Sequence, residues 1–270
     1  MKSDYLQFNP EGSILRNAQV RMLEVLKSFD SFCYDNNLVY WIDSGTLLGA
    51  VRHGGFIPWD DDIDVCMPRF SFKQLRRIAK KNNYYIGNDV VLQCHQSDNN
   101  CFFPFFCVKD LKSEFLQPTY EHKVQKFRGL QVDVFPVDRN TILPIWNFCH
   151  WFFYTFITST LHEANFKRFR FKFLARPSFF VFTKIIEPLS YFVTSLVHKE
   201  NDFFMMGYGN FFASKRPYHS VFPLKKISFE GFLFNAPHNP DEYLSSLYHD
   251  WKSIPSIDKI HTHNAAIHFY

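Results

Sequence analysis

The stretch Ile42–Arg69, IDSGTLLGAVRHGGFIPWDDDIDVCMPR, decides the fold because it joins two predicted strands through a turn and a short helix. The first strand is the aromatic and β-branched run Leu38–Ile42, which ends at the Ser-Gly-Thr turn of residues 44–46. Thr46 is expected to cap the short helix that follows. The second strand is predicted over Ile63–Met67, so both strands and the turn between them belong to one structural unit.

Four aspartates just before and within the second strand, at positions 60, 61, 62 and 64, give the strongest chemical signal. Alternate residues of a strand share a face, so Asp60, Asp62 and Asp64 point the same way if the strand begins early enough, and Asp61 points away. Crowded carboxylates repel each other unless a cation neutralises them. Oxygen ligands at this density suit Mg²⁺ or Mn²⁺, which hold and polarise phosphates. A solvated turn is one alternative, and a Ca²⁺ loop is another, although the glycine and distal glutamate of an EF-hand are missing.

A second acidic position lies in the segment LQVDVFPVD, residues 130–138, where Asp133 sits between two valines. A buried carboxylate in an apolar strand is costly without a partner, and a metal shared with Asp62 and Asp64 would supply one. The alternative is a surface-facing aspartate on an edge strand. Asp138, which follows a proline, is assigned to a turn. The candidate metal ligands are therefore Asp60, Asp62, Asp64 and Asp133, and the candidate catalytic residues are Asp62, Asp64 and Asp133.

Candidate substrate contacts lie ahead of the aspartates, at the turn and at the end of the short helix. Gly45 and Thr46 are expected to present backbone N–H groups at a helix N-terminus, which favours a phosphate. Arg52 and His53 are expected either to contact donor phosphates or the acceptor, or to form structural salt bridges with the aspartates. Arg69 is a weaker candidate of the same kind.

Three further residues of interest are given structural roles. Trp59 is expected to pack and fix the turn before Asp60. Lys215 and Arg216 are assigned to a solvated loop, and contact with an anionic substrate is the alternative.

The remaining pattern is an alternation of helices and strands. Amphipathic spacing predicts a helix over residues 14–37, and a second helix is expected to start at Ser71 and end near Lys81. Further strands are predicted over Val90–His95, Phe102–Val108 and Leu130–Phe135. This order predicts an α/β fold with a mixed sheet.

The composition changes near Ile142, where a stretch rich in Phe, Trp, Lys and Arg begins. We predict a catalytic core over residues 1–141, a helical insertion over 142–202, and a C-terminal segment, 203–270, that completes the core. Residues 142–161 have the length of a membrane span but are too polar for one. Because residues 165–176 interleave five basic residues with aromatics, residues 142–176 are expected to contact a membrane surface. The alternative is helices that pack on the core with a solvated basic face.

Composition narrows the function classes. The net charge of only +4 argues against a nucleic-acid partner. The 34 phenylalanines among 270 residues exceed what a single core of this size needs, so some apolar surface is expected to serve a membrane or a partner. Its six cysteines form no CxxC pair and the N-terminus carries no apolar signal-peptide core, so a cytoplasmic protein, peripheral on the inner face of the membrane, is expected. A zinc site made of Cys94, His95, Cys101 and Cys107 has no familiar ligand spacing, and small core residues are the alternative.

The run WIDSGTLLGAVRHGGFIPWDDDID, residues 41–64, closely resembles the LicD family, which includes the fukutin-type proteins. The opening helix around residues 23–29, the segment VDVFPVD and the tail Phe229–Pro255 are also similar to that family. Only residues 142–206 show no resemblance.

The resemblance implies a nucleotidyltransferase-like core and transfer of a phospho-alcohol, such as phosphocholine or ribitol phosphate, from a CDP-linked donor to a glycan or glycolipid precursor. It also implies that Gly45 with Thr46, Asp62 with Asp64, and Asp133 are the functional residues. Thr46 stands where the family pattern has Ser, and residues 248–250 read Tyr-His-Asp where Tyr-Gly-Asp is expected. Two alternatives stay open: a nucleotidyltransferase that releases pyrophosphate, and a non-catalytic glycan-binding module, which the intact carboxylates disfavour.

Overall fold

The structure is a computed structural model that describes residues 3–116, 123–140, 172–196, 200–206, 214–248, 250–257, 260 and 266–270. The α-helices in this part of the chain are α1 (Ile14–Asp35), α2 (Ser44–His53), α3 (Arg69–Lys81), α4 (Ala175–Val181), α5 (Glu187–Ser195), α6 (Tyr218–Val221) and α7 (Pro240–Leu247). Short 3₁₀ helices cover Ser3–Phe8 and Lys172–Leu174, and a π-helical turn, Phe182–Ile186, joins α4 to α5.

The strands are short, apart from one that runs through the centre of the sheet. They are β1 (Trp41–Ile42), β2 (Asp64–Pro68), β3 (Tyr85–Gly87), β4 (Val90–Gln93), β5 (Phe106–Asp110), β6 (Ser113–Leu116), β7 (Gln131–Asn140), β8 (Glu200–Met206), β9 (Lys215–Pro217), β10 (Lys225–Phe229), β11 (Phe232–Ala236) and β12 (Ala266–Phe269).

One mixed sheet organises the fold, with strand order β1-β2-β7-β5-β4-β3 and with β8 and β9 extending from the second half of β7. Strands β2 and β7 are parallel and the other pairs are antiparallel. The parallel register places Asp64 beside Asp133, and β5 places Cys107 beside Asp133 on the other side. Because register partners share a face of the sheet, these three side chains form a row. The predicted α/β fold with a mixed sheet is confirmed.

The core joins the N-terminal helix, the sheet and the C-terminal segment. In α1 the side chain of Ser13 accepts the N–H of Arg16 and caps the helix, and Leu26 and Phe29 on its inner face are fully buried. Each such side chain contributes about 1.5–3 kcal/mol on burial. Tyr243 and Leu244 of α7 belong to the same core cluster, so the C-terminal segment packs into the same hydrophobic core as the sheet.

Element boundaries differ from the predicted ones by a few residues. The first strand contains only Trp41 and Ile42, because Leu38 and Val39 lie in the connection after α1. Helix α2 begins at Ser44 with Asp43 at its N-cap, so Thr46 lies inside the helix and does not cap it. Asp138 was assigned to a turn, but it lies within the ten-residue strand β7, where it forms an ion pair with Arg69.

The predicted insertion, residues 142–202, is described only in part. Residues 172–195 are helical, and β8 pairs with β7 from Glu200, so the sheet resumes before the predicted boundary at residue 203. Most of the predicted membrane-contact segment, 142–176, lies outside the described residues. In the part of the chain that the structure describes, no helix combines the length and apolar character needed to cross a membrane.

The backbone of α2 at Gly49 lies close to the backbone of Gly55 and Ile57, and this contact offers a test of the fold. A Cβ added at Gly49 would lie 2.4 Å from the carbonyl oxygen of Gly55 and 3.1 Å from the nitrogen of Ile57. We predict that Gly49→Ala lowers the free energy of unfolding by about 1–3 kcal/mol, despite the helix preference of alanine, because overpacking of a rigid backbone contact forces a shift. Gly87→Ala is the control, since a Cβ there meets only atoms at 3.4 Å or beyond. Urea unfolding measures both variants, and equal stabilities would contradict the prediction.

Candidate active site

A cavity of about 360 Å³ opens where the N-terminus of α2 meets the start of β2. Its polar wall carries Ser44, Gly45, Asp60, Asp62 and Asp64. The other lining residues come from β7, β8 and the C-terminal segment, and they are Phe135, Met206, Ser214, Arg216, Leu247 and Tyr248. The structure therefore gathers the predicted Asp60, Asp62, Asp64 and Gly45 around one space.

The three aspartates reach this cavity by a different route from the predicted one. Strand β2 begins only at Asp64, so Asp60 and Asp62 come from the preceding loop and not from strand alternation. The loop is anchored on α1, because the buried side chain of Gln19 donates to the carbonyl oxygen of Asp60 at 2.8 Å. Gly45 allows the close approach: a Cβ at this position would lie 2.9 Å from a carboxylate oxygen of Asp60.

The carboxylates raise one another's pKa values. Burial and the charges of Asp62 and Asp61 raise the pKa of Asp60 to about 9. Burial, Asp62 and Asp133 hold the pKa of Asp64 well above its ordinary value. A proton or a bound cation would relieve this repulsion, and Arg216 is the cation that the cavity wall itself supplies.

Helix α2 and β2 are joined through Asp64. The N–H of Asp43 donates to the carbonyl oxygen of Asp64 at 2.9 Å, and the N–H of Asp64 donates to the hydroxyl of Thr46 at 2.8 Å. Thr46 is buried and does not line the cavity, so its hydroxyl positions Asp64 in this structure. Ser44 has a φ of 47°, an uncommon left-handed backbone conformation, at the point where the helix starts.

A buried ion pair that the sequence did not predict fixes the start of α2. Arg216 Nη2 donates to Asp43 Oδ2 at 2.6 Å, and the hydroxyl of Tyr243 donates to Asp43 Oδ1 at 2.6 Å. Trp41 and Arg216 both donate to that hydroxyl, at 2.9 Å each, and the thiol of Cys66 donates to Asp43 at 3.1 Å. The pKa of Asp43 lies below its ordinary value: burial would raise it, but the charge and hydrogen bonds of Arg216 outweigh that effect.

The prediction that Arg216 lies in a solvated loop is therefore wrong. It is 1% exposed and belongs to β9, the strand added to the sheet through β8. The signal that could have identified its partner is the position of Asp43, directly before the Ser-Gly-Thr turn and after an apolar strand.

Tyr248 brings the C-terminal segment to the cavity. It hydrogen-bonds with Ser44, and burial together with Asp43 and Asp64 raises its pKa above the ordinary value. This is the tyrosine of the Tyr-His-Asp sequence in the tail. Asp250 of that sequence is exposed and accepts from the hydroxyl of Ser253, and residue 249 lies outside the described residues.

Asp133 lies behind Asp64, since the two are register partners but Asp133 does not line the cavity. Gln131 Nε2 donates to its carboxylate at 2.7 Å, and Cys107 also hydrogen-bonds to it. Burial raises the pKa of Asp133 to about 6. Its predicted catalytic and metal-binding roles stay predictions.

Arg52 and His53 are not brought to the cavity. They lie at the C-terminal end of α2, roughly 12 Å along the helix from Ser44 at 1.5 Å per residue. Arg52 Nη2 donates to the carbonyl oxygen of Ser253 at 2.8 Å, and the ring of His53 lies 6.4 Å from that of Trp59. Trp59 also packs on Tyr5, with ring centroids 5.6 Å apart, as its predicted packing role requires.

The carboxylate oxygens at the cavity suit a hard cation, but the described side chains do not form a complete metal site by themselves. No three His, Cys, Asp or Glu side chains in the described ranges are arranged as a complete metal site. Magnesium commonly takes one or two carboxylates together with water and substrate phosphates, and the carboxylates of Asp62 and Asp64 beside an open cavity fit that pattern. Cys94, Cys101 and Cys107 are buried thiols, and the ring of His95 hydrogen-bonds with the carbonyl oxygen of Cys101 at 3.1 Å.

A mixed sheet with an Asp-x-Asp pair beside a glycine-containing helix start is the arrangement expected of a nucleotidyltransferase-type domain. The family model described as LicD/FKTN/FKRP, nucleotidyltransferase domain, matches residues 37–174, about half of the chain. The chain therefore belongs to the LicD family. The match includes Asp43, the aspartates of the cavity and Asp133.

Individual relatives agree with this assignment. The chain is 25% identical over 260 residues to the lipopolysaccharide cholinephosphotransferase LicD of Haemophilus influenzae, and the match covers 89% of this chain and 92% of that protein. It is 28% identical over 85 residues to mannosyltransferase regulator 4 of Saccharomyces cerevisiae, which is 32% of this chain and 7% of the yeast protein. It is 62% identical over 26 residues to the human ribitol 5-phosphate transferase FKRP, which is 10% of this chain and 5% of that protein.

The ion pair beneath the cavity yields a stability prediction. Arg216→Met would leave Asp43 buried without its cation, so we expect the free energy of unfolding to fall by about 3–5 kcal/mol. Lys252→Met is the control, because Lys252 and its partner Asp241 are 74% and 70% exposed, and such pairs contribute about 0–1 kcal/mol. Chemical denaturation measures both, and similar losses in the two variants would contradict a structural role for the pair.

The raised pKa values predict a pH dependence in protein that is free of divalent metal. Between the ordinary value near 3.8 and about 9, folded Asp60 retains a proton that the unfolded chain has lost, so the free energy of unfolding should fall as pH rises. Asp133 acts in the same direction up to about pH 6. Asp60→Asn should flatten this slope, and Mg²⁺ should restore stability at the alkaline end. Urea unfolding across the pH range in the presence of a chelator tests this, and stability that rises with pH in wild type would refute it.

Proposed function

We propose that this protein transfers a phospho-alcohol group from a CDP-linked donor to a hydroxyl of a cell-surface glycan or glycolipid precursor, with Mg²⁺ or Mn²⁺ as cofactor. The relatives named for such transfers, a cholinephosphotransferase and a ribitol 5-phosphate transferase, support the reaction class. The two names give different alcohols, so these relatives support transfer of an alcohol phosphate but do not identify the alcohol for this protein.

The observation that carries the proposal is the gathering of Asp60, Asp62 and Asp64 around one cavity at the N-terminus of α2. Repulsion among these groups means that the site gains from positive charge, and a diphosphate donor arrives with its own cation. Bound there, a divalent cation would neutralise the donor phosphates and the charge that develops on the leaving nucleotide. Asp62 and Asp64 are the residues proposed to hold it.

The start of α2 is the proposed contact for the donor phosphates. Asp43 stands at the N-cap, but its side chain makes no capping hydrogen bond to the first turn because Arg216, Tyr243 and Cys66 engage it instead. The first N–H groups of the helix thus receive no capping from Asp43, next to Gly45, where the backbone lines the cavity. Helix N-termini of this kind favour phosphates.

In the proposed reaction an acceptor hydroxyl oxygen attacks the phosphorus that bears the alcohol. The bond from that phosphorus to the bridging oxygen of the diphosphate breaks, CMP leaves, and the hydroxyl proton is released. Asp133 lies beside Asp64 in the sheet and is proposed to complete the site, as an outer ligand or as the group toward which that proton moves.

We predict that purified protein, given a CDP-alcohol, Mg²⁺ and a glycan acceptor, releases CMP and does not release pyrophosphate from a nucleoside triphosphate. Asp62→Asn and Asp64→Asn should each lower kcat by at least about a thousandfold, because each removes a charge from the cation site. Asp61→Asn is the matched control: it is the adjacent carboxylate, but it does not line the cavity, and it should retain activity within a few fold. Chromatography of the released nucleotide measures the reaction.

Asp133→Asn separates its two proposed roles within the same assay. Loss of an outer ligand should raise the Mg²⁺ concentration needed for half-maximal rate, whereas loss of a proton acceptor should lower kcat at saturating Mg²⁺. Pyrophosphate release in place of CMP would establish nucleotidyl transfer as the activity. Full activity of Asp62→Asn and Asp64→Asn would remove the cation site from the mechanism.

A further inference from the structure

A second cavity, of about 410 Å³, lies between α3, the loop that follows β4, and the helical segment Ala175–Ser195. It shares no lining residue with the aspartate cavity, so the two are separate spaces. One wall is cationic and the others are largely aromatic. The proposed transfer reaction uses none of these residues.

The cationic wall is built by the spacing of α3. Arg69, Lys73 and Arg76 recur at steps of four and three residues, so they lie along one face of the helix, and all three are half-buried. Lys184 adds a fourth cation from the π-helical turn opposite.

The local charge stays positive after the neighbouring acids are counted. Glu187 lines the same cavity, and Asp138 forms its ion pair with Arg69. Among the residues that the structure describes, these four cations and two carboxylates give a formal charge of +2 around a partly enclosed space. Burial lowers the pKa of Lys73, and the charges of Arg69 and Arg76 act in the same direction, against the opposing charges of Glu187 and Asp138. An anion in the cavity would relieve this crowding.

The remaining walls are apolar. Phe72 and Phe106 stack with ring centroids 3.8 Å apart beneath α3, Phe103 lies on the loop, and Phe179 and Phe182 come from the helical segment. A small hydrated anion needs no such surface. A ligand that carries both an anionic group and a hydrocarbon part would use both kinds of wall.

The outer face of the same helical segment extends the apolar surface. Phe180, Ile185, Leu189 and Phe192 recur at steps of three to five residues and are 59%, 55%, 52% and 62% exposed. The segment thus has apolar side chains on the face toward the cavity and on the face toward solvent. An alkyl chain too long for the cavity has an apolar surface onto which it can continue.

We propose that this second cavity binds the phosphate group of an anionic amphiphile, with the phosphate between α3 and Lys184 and the hydrocarbon part against Phe103, Phe179 and Phe182. The proposal concerns a separate site and does not depend on the transfer reaction.

The test is isothermal titration calorimetry of the whole protein with dodecyl phosphate below its micelle concentration. Inorganic phosphate and the neutral dodecyl maltoside are the comparison ligands. We expect saturable binding of dodecyl phosphate, at least about tenfold tighter than that of either comparison ligand, because only dodecyl phosphate engages both walls. The Lys73→Gln, Arg76→Gln double variant should weaken binding at least about tenfold, and Phe103→Ala should weaken it severalfold.

The matched control is the Arg77→Gln, Lys80→Gln double variant, which removes the same charge from exposed positions of α3 outside the cavity. It should bind dodecyl phosphate within about twofold of wild type, whereas equal weakening in both double variants would show nonspecific attraction and overturn the site. Equal affinity for inorganic phosphate and dodecyl phosphate would overturn the amphiphile. Thermal unfolding verifies that each variant is folded, and Asp62→Asn should bind dodecyl phosphate as wild type does, which separates this site from the proposed function.

Discussion

The buried contact between Asp43 and Arg216 is the interaction on which the rest of the candidate site depends. Asp43 precedes the helix that borders the cavity, and Arg216 belongs to a strand added late in the chain, so their ion pair at 2.6 Å joins segments 173 residues apart. The hydroxyls of Tyr243 and Ser44 and the thiol of Cys66 also donate to this carboxylate. A pair buried this deeply is retained only when its hydrogen bonds are complete, and here they also orient the start of α2.

The sequence predicted which aspartates lie together better than it predicted the elements that carry them. Asp60, Asp62 and Asp64 could be predicted because their clustering is visible in the sequence itself and does not depend on where the strand begins. It did not reveal that two of them reach the cavity from a loop, since the strand start depends on pairing with β7, which lies about 70 residues away in sequence. Periodicity likewise predicted α1, where one face alone is buried, almost to the residue.

The misplaced residues share a physical cause. Arg216 looked solvated and Asp138 looked like a turn residue because charged side chains are usually exposed, and each is buried or half-buried only through a partner distant in sequence. Arg52 and His53 are close to the aspartates in sequence, which is why they were predicted to share the site. They lie at the C-terminal end of the ten-residue helix α2, away from the cavity. Composition and spacing report local preferences, whereas ion pairs between distant segments depend on the assembled fold.

The protein neutralises only some of the carboxylates around this cavity with its own cations. Arg216 neutralises Asp43 and holds the pKa of that carboxyl low, and the positive charge of Arg216 is fixed within the fold. The pKa values of Asp60 and Asp64 stay raised, so the charge of Arg216 does not neutralise these two carboxylates as well. A fold that neutralised every carboxylate with its own arginines would have no affinity for the cation that we propose for this site. The unrelieved repulsion is therefore the feature that ties the stability of this region to what it binds.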